Sequence, residues 1–259
     1  MAQGAYVQFG LGYAGGTSSE LIGVNSNVTS ATSFTETGVY GTYGSGIPIG
    51  LNVGYMFTEH IGFDLGFNYF MGSEVTSAVN KSFVGDDVTT TSKGYQIRVL
   101  PQLVVSTGSE NALNFYSKFG LVLPVAGRTT FKKEGQVSVF TGTNFITKSI
   151  LVEGNSTGKF SMGYTGALGA TFNLSDNLSL FGELQLINLR IAGATQTITK
   201  YEFDGQDIMS SKTKQELETE YVTSLDEKSN TDTNSPMKEI GSSTNYNSLG
   251  LNVGIKFRF

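Results

Sequence analysis

Leu249-Gly-Leu-Asn-Val-Gly-Ile-Lys-Phe-Arg-Phe259 is the stretch from which the fold follows. Its odd positions, Leu249, Leu251, Val253, Ile255, Phe257 and Phe259, are apolar; its even ones, Gly250, Asn252, Gly254, Lys256 and Arg258, are small, polar or charged. Successive side chains of a strand point to opposite faces, so the segment has one greasy face and one polar face. In a water-soluble sandwich the greasy face would be core. Here the same code recurs in strand after strand, and no stretch reads as a helix able to cover those faces. Closing the strands into a ring whose apolar outside meets lipid removes open edges and satisfies the backbone in hydrocarbon. The expectation is an all-β, closed antiparallel up-and-down transmembrane β-barrel of eight strands spanning residues 1–259 as one domain.

Seven further segments carry the code, at about 5–14, 47–57, 61–71, 95–105, 113–125, 160–174 and 178–189. The cleanest is Ile61 to Met71, where Ile61, Phe63, Leu65, Phe67, Tyr69 and Met71 alternate with Gly62, Asp64, Gly66 and Asn68. Short turns join some of these segments, among them Thr58-Glu59-His60 and Ser175-Asp176-Asn177. Long polar stretches, about 15–46, 72–94, 127–158 and 202–245, join the others and read as exposed loops. The third of these holds apolar residues, Phe131, Val137 to Phe140 and Phe145 to Val152. It either extends a hairpin beyond the membrane or adds a pair to the wall, giving ten strands. The last reads as a solvated loop, with Leu217, Tyr221 and Leu225 spaced for one short helix. Pro101 and Pro124 interrupt two strands, and each marks a candidate bulge because proline cannot donate to a ladder.

Composition agrees. Glycine is 33 of 259 residues, nearly twice the usual share, and charged residues are only 15%. Aromatic content is 12%, all Phe and Tyr, as suits a ring with aromatics at its lipid boundaries. With no cysteine, disulfides and thiol chemistry are excluded, and a net charge of −5 argues against nucleic acid as a partner. No apolar run is long enough for a membrane-crossing helix, which alternating strands do not need. The start, Met1-Ala2-Gln3, lacks the regions of a signal peptide and reads as a processed terminus or an expression start.

Threading the strands up and down gathers Tyr13, Tyr69, Tyr95 and Tyr164 at one lipid boundary and Phe57, Phe63, Phe115, Phe172 and Phe257 at the other. The inward parity collects Asp64, Arg98, Lys118, Glu183, Lys256 and Arg258 among Asn and Gln side chains. An eight-stranded interior is only just wide enough for its own side chains, so these charges must pair across the lumen. Such a network is either a structural plug or a gated narrow path in which a salt bridge exchanges partners. Catalysis finds little support: the sole histidine, His60, sits in a short turn beside Glu59, with no second histidine to build a dyad. Asp204-Gly-Gln-Asp207 lacks calcium-loop spacing, and no cofactor or metal is expected.

Asn252-x-Gly254-x-x-Phe257-x-Phe259 resembles the C-terminal assembly signal of Gram-negative outer-membrane barrels. Through its strand code, most of the chain is similar to the small outer-membrane barrels of the OmpA-like, OmpX-like and opacity types. The resemblance implies an outer-membrane location with periplasmic termini and turns and extracellular loops. It also implies insertion by the barrel-assembly machinery, contact with lipopolysaccharide, and no enzyme activity. Function would then lie in loops that bind a host surface ligand or another envelope protein, or in a narrow pore.

Overall fold

A computed structural model describes residues 4–17, 20–108, 112–226 and 229–259. In chain order the strands are β1 (Gly4–Gly16), β2 (Glu20–Ser30), β3 (Ser33–Gly41), β4 (Gly46–Met56), β5 (Ile61–Gly72), β6 (Val75–Ser82), β7 (Asp87–Ser106) and β8 (Leu113–Phe140). They continue as β9 (Phe145–Gly158), β10 (Gly163–Asn173), β11 (Leu178–Asn188), β12 (Arg190–Phe203), β13 (Gln206–Asp207), β14 (Glu218–Val222), β15 (Met237–Ile240), β16 (Ser243–Asn245) and β17 (Ser248–Arg258). One short helix, α1 (Lys214–Leu217), follows a single 3-10 turn.

Eight of these strands close a ring, β1-β4-β5-β7-β8-β10-β11-β17 and back to β1, antiparallel at every step. The hydrogen-bonded register does not return to its start. It passes from Tyr6 through Gly54, Asp64, Gln102, Gly120, Thr165, Ile187 and Ser248 and reaches β1 again at Gly16, ten residues along. That stagger fixes a strand tilt of about 40–45°. At that tilt the 11 residues of β17 rise about 26 Å, the thickness of a bilayer's hydrocarbon.

Alternation places every outward side chain of the terminal strand, from Leu249 to Phe259, on the exposed face. The same holds for Phe9, Leu11, Leu51, Val53, Phe63, Phe67, Leu103, Phe119, Leu168, Leu180 and Leu184 on the other ring strands. A Leu or Phe left in water forgoes about 1.5–3 kcal/mol of burial, so a belt of this extent is a lipid-facing surface. Inward-facing glycines make room for inward-facing rings. A Cβ on Gly10 would stand 2.7 Å from Cζ of Phe181, and one on Gly254 would stand 2.7 Å from its Cε1. Gly54 leaves the space that Tyr6 fills, and Gly169 does so for Tyr116.

The long connections differ from the loops the polar composition suggested. They are built largely of strand: β2 and β3 pair within 15–46, β6 pairs with the upper part of β7 within 72–94, and β9 pairs with β8 within 127–158. β8 runs unbroken for 28 residues, about 90 Å of chain, so its upper half stands well beyond the bilayer. The ring therefore has eight strands and not ten, and 127–158 extends a hairpin. β12 adds to β9, β14 to β12, and β15 to β14, giving a wall that rises from one side of the ring. Both faces of such a wall meet water, so the alternation of polarity that marks a lipid-facing strand has no reason to appear. Within 202–245, Thr213 and Glu216 form a capping box that starts α1.

A bulge at Val125 follows Pro124, since Arg98 pairs with Pro124 and Ile97 with Ala126. Pro101 marks none: the register with β8 is the same on either side of it, and its side chain takes the outward position opposite Leu65. The start at 1–3, and 109–111 between the segments at 95–105 and 113–125, lie outside the described residues.

Candidate functional site

Two levels of the interior concern function. Counted up from the short turns, the first is a knot of charge. Lys118 on β8 places Nζ 2.9 Å from Oδ2 of Asp64 on β5 and 3.4 Å from Oε2 of Glu183 on β11. Nζ also donates to Oε1 of Gln8 at 3.1 Å. Tyr6 donates to Asp64 Oδ2 at 2.9 Å, Asn52 to Asp64 Oδ1 at 2.8 Å, and Tyr116 to Glu183 Oε2 at 3.0 Å. All three ionic side chains are buried. Their lone pairs and protons are shared among neutral donors and acceptors, the condition under which a buried ion pair is tolerated.

The remaining inward charges do not pair across the lumen. The inward parity holds two acids and four cations, so some cations must find other partners. Lys256 sets its ammonium 3.7 Å from the Tyr6 ring centroid. Arg258 donates to Ser179 at 2.8 Å and to Asn173, near the short-turn end. Arg98 lies farther up, stacked 4.1 Å from the Phe70 ring, with Nε donating to Gln96 at 2.7 Å. Above the knot, Asn52, Asn68, Gln102, Phe181 and Gln185 leave a void of only about 30 Å³, the space of one water. Leu100, Val122, Ile187, Leu189 and Tyr246 then close the ring with an apolar plug.

The second level is a cup of about 780 Å³ directly above that plug. Its floor includes Gln96 and Tyr246, and its walls come from the extended halves of β7 and β8 and from β9 and β12. Thr129 and the Tyr246 hydroxyl are 2.6 Å apart across it, and Tyr221 donates to Gln196 at 3.2 Å. Phe131, Phe160, Ile191, Pro124 and Val125 line it with apolar surface, and Lys133 and Lys159 with charge. The volume is that of a small-molecule site.

The cup is open sideways. β10 pairs with β8 only up to Val122, and β9 pairs with it only from Thr129. Residues 123–128 of β8 thus have no strand partner on that side, and 159–162 beside them is irregular. Phe160 is 80% exposed at this gap.

The aromatic residues singled out from sequence all lie on the outward parity, with Tyr13, Tyr69, Tyr95 and Tyr164 toward the cup end and Phe57, Phe63, Phe115, Phe172 and Phe257 toward the short turns. Asn252 and Gly254 face inward, Asn252 donating to Gln185 at 3.2 Å. Phe257 and Phe259 pack edge to face at 5.1 Å. His60 is exposed in its turn at the opposite end from the cup, its Nδ1 3.0 Å from the Ser106 carbonyl. Sequence reading missed the cup, because much of its lining comes from stretches taken as loops or left unassigned. The signals were the β-branched runs Val88-Thr-Thr-Thr-Ser92 and Thr195-Gln-Thr-Ile-Thr199.

No protein-family model matches the sequence, and neither does any curated protein. Solved structures similar to it include Neisserial surface protein A (NspA), 12% identical over 98% of this chain and 97% of that one, with a TM-score of 0.41. The outer membrane protein OprG from Pseudomonas aeruginosa is 12% identical over 99% and 96%, with a TM-score of 0.48. CarO2 of Acinetobacter baumannii is 13% identical over 98% and 99%, with a TM-score of 0.38. On its own closed ring, apolar belt and filled polar interior, the chain has the architecture of a small outer-membrane β-barrel.

Proposed function

We propose that this is an integral protein of a Gram-negative outer membrane that works as a non-enzymatic binding protein through the cup, with its short turns and termini on the periplasmic side. One observation carries the reading: a space of about 780 Å³ lies above a filled lumen, in which the void above the charge knot has room for about a single water. The strand-built wall gives the cup a fixed shape, so a ligand would find it largely pre-formed. Partners at this face would be a host surface ligand, lipopolysaccharide or another envelope protein.

A gated narrow pore is the second reading. It is favoured by Lys118, whose ammonium is shared between two carboxylates and could exchange them. Conductance of the purified protein in planar bilayers separates the two. The binding reading expects no reproducible unit steps. Unit steps that vanish in Lys118→Gln would overturn it in favour of the pore.

A further inference from the structure

We propose that the cup takes an amphipathic anion: a carboxylate or other small oxyanion that carries an apolar chain. This rests on the reading of the cup as a binding site and names the ligand's class. The chain has 22 acids and a net charge of −5, yet no acid lines the cup among the described residues. Two cations do, Lys133 and Lys159, while Arg128 at the edge of the lining stands in register with Tyr95 on the outward face. Lys159 is taken up by the Tyr221 carbonyl at 3.0 Å. Lys133 faces no carboxylate at ion-pair distance among the described residues.

Lys132 on the opposite face of the same wall behaves differently. It meets Glu134 at 2.6 Å and stands in register with Glu153, which in turn stands opposite Lys200. Lys200 meets Glu202 at 3.0 Å. Lys132 and Lys200 on the outer face of the wall are thus matched, and Lys133 on the inner face is not. Beneath the floor, Arg98 is 1% exposed, and its Nη2 has no hydrogen-bond partner. A buried guanidinium nitrogen without an acceptor is costly, and the group that separates it from the cup is Gln96, already its acceptor at Nε. An anion seated on Gln96 and Tyr246 would balance that charge.

The apolar half of the ligand follows from the side opening. Beside the unpartnered residues 123–128, the gap presents Val125, Phe160 and Met162, all exposed, just beyond Tyr95 and Tyr164 at the lipid boundary. A ligand with its charge on the floor can lay its chain through this gap toward the membrane. Such an amphiphile can come from the medium or from the surrounding leaflet.

The test is isothermal titration of the full chain in nanodiscs of zwitterionic phosphatidylcholine, with empty nanodiscs as the control. Dodecanoate is expected to bind saturably, one per barrel, and dodecan-1-ol and dodecyltrimethylammonium at least about tenfold more weakly, the scale of one charge-assisted hydrogen bond. Lys133→Gln, at an exposed position, is expected to weaken dodecanoate about threefold or more. Arg98→Gln is expected to abolish the preference for dodecanoate over dodecan-1-ol, with heat-modifiable gel mobility showing that the barrel still forms. Displacement of dodecanoate by water-soluble 4-phenylbutanoate supports the proposal with a ligand drawn from the medium; binding of dodecanoate alone supports it with one drawn from the leaflet. Equal binding of dodecanoate and dodecan-1-ol would overturn the anion and leave the binding reading standing. Absence of binding by all the probes would overturn the proposal, while the conductance result would stay independent of it.

Discussion

Lys118 is the shared ion-pair partner of Asp64 and Glu183, so its removal leaves two carboxylates without their cation in a buried interior. Lys118→Met is expected to destabilise the barrel by about 3–5 kcal/mol, the scale for breaking a buried ion pair from one side. Adding Asp64→Asn and Glu183→Gln should recover most of that loss, read as the urea midpoint of refolding in micelles by circular dichroism. Gly10 makes a second point at this scale, because a methyl there meets chiefly the Phe181 ring. Gly10→Ala is expected to cost about 1–3 kcal/mol, and Phe181→Leu in the same chain to relieve it. That these residues face inward was legible from parity alone. Counting from the short turns also brings Asp64, Lys118, Glu183 and Lys256 within reach of one another, but that the first three join without Lys256 was not legible, because they sit on the nonadjacent strands β5, β8 and β11. Their meeting is set by the ten-residue stagger of the closed ring, which no local pattern encodes.

At the scale of the element, the terminal strand shows why the ring could be read at all. Each of its outward residues must be apolar to meet lipid, and that demand is written into consecutive alternate positions. Val253 lies at its middle on the outward face, 55% exposed. Val253→Arg is expected to cost about 2–4 kcal/mol in lipid vesicles, measured by reversible urea unfolding. The wall strands face no such demand, and so their Thr-rich sequences looked like loops. β8 carries both regimes in one strand. Between Leu123 and Arg128, only the amides turned toward β7 have a strand partner, so amide exchange there should be fast at every other residue and slow from Asn114 to Gly120. α1 supplies a pH test. The Thr213 backbone N–H, Lys212 and the Thr213 hydroxyl hold the Glu216 carboxyl down to about 2 from an ordinary 4.5. A depressed carboxyl stabilises the folded turn above pH 4.5 and ceases to do so as pH falls through 2. The amide signals of Gln215 to Leu217 should lose their helical shifts across that window.

For the whole molecule, ring and wall are separable in one place and fused in another. Among the described residues the hairpin β2–β3 pairs with other strands through a short parallel stretch with β6, and Glu20 at its base meets Arg190 of β12, while β1 and β4 bond directly to each other below it. Replacing residues 20–41 by a short Gly-Ser link is expected to leave the barrel's heat-modifiable mobility intact. A chain that no longer folds would show the hairpin to be part of the ring's foundation.

β7 and β8 cross from lipid to water inside continuous ladders, with no joint between the two phases. Whatever angle the cylinder takes in its bilayer, the vessel above must take as well. A thinner membrane, by leaning the cylinder to hide its greasy belt, would tip the vessel's mouth and lower its side slot toward the acyl chains. The thickness of the host bilayer would thereby set how the proposed ligand is met.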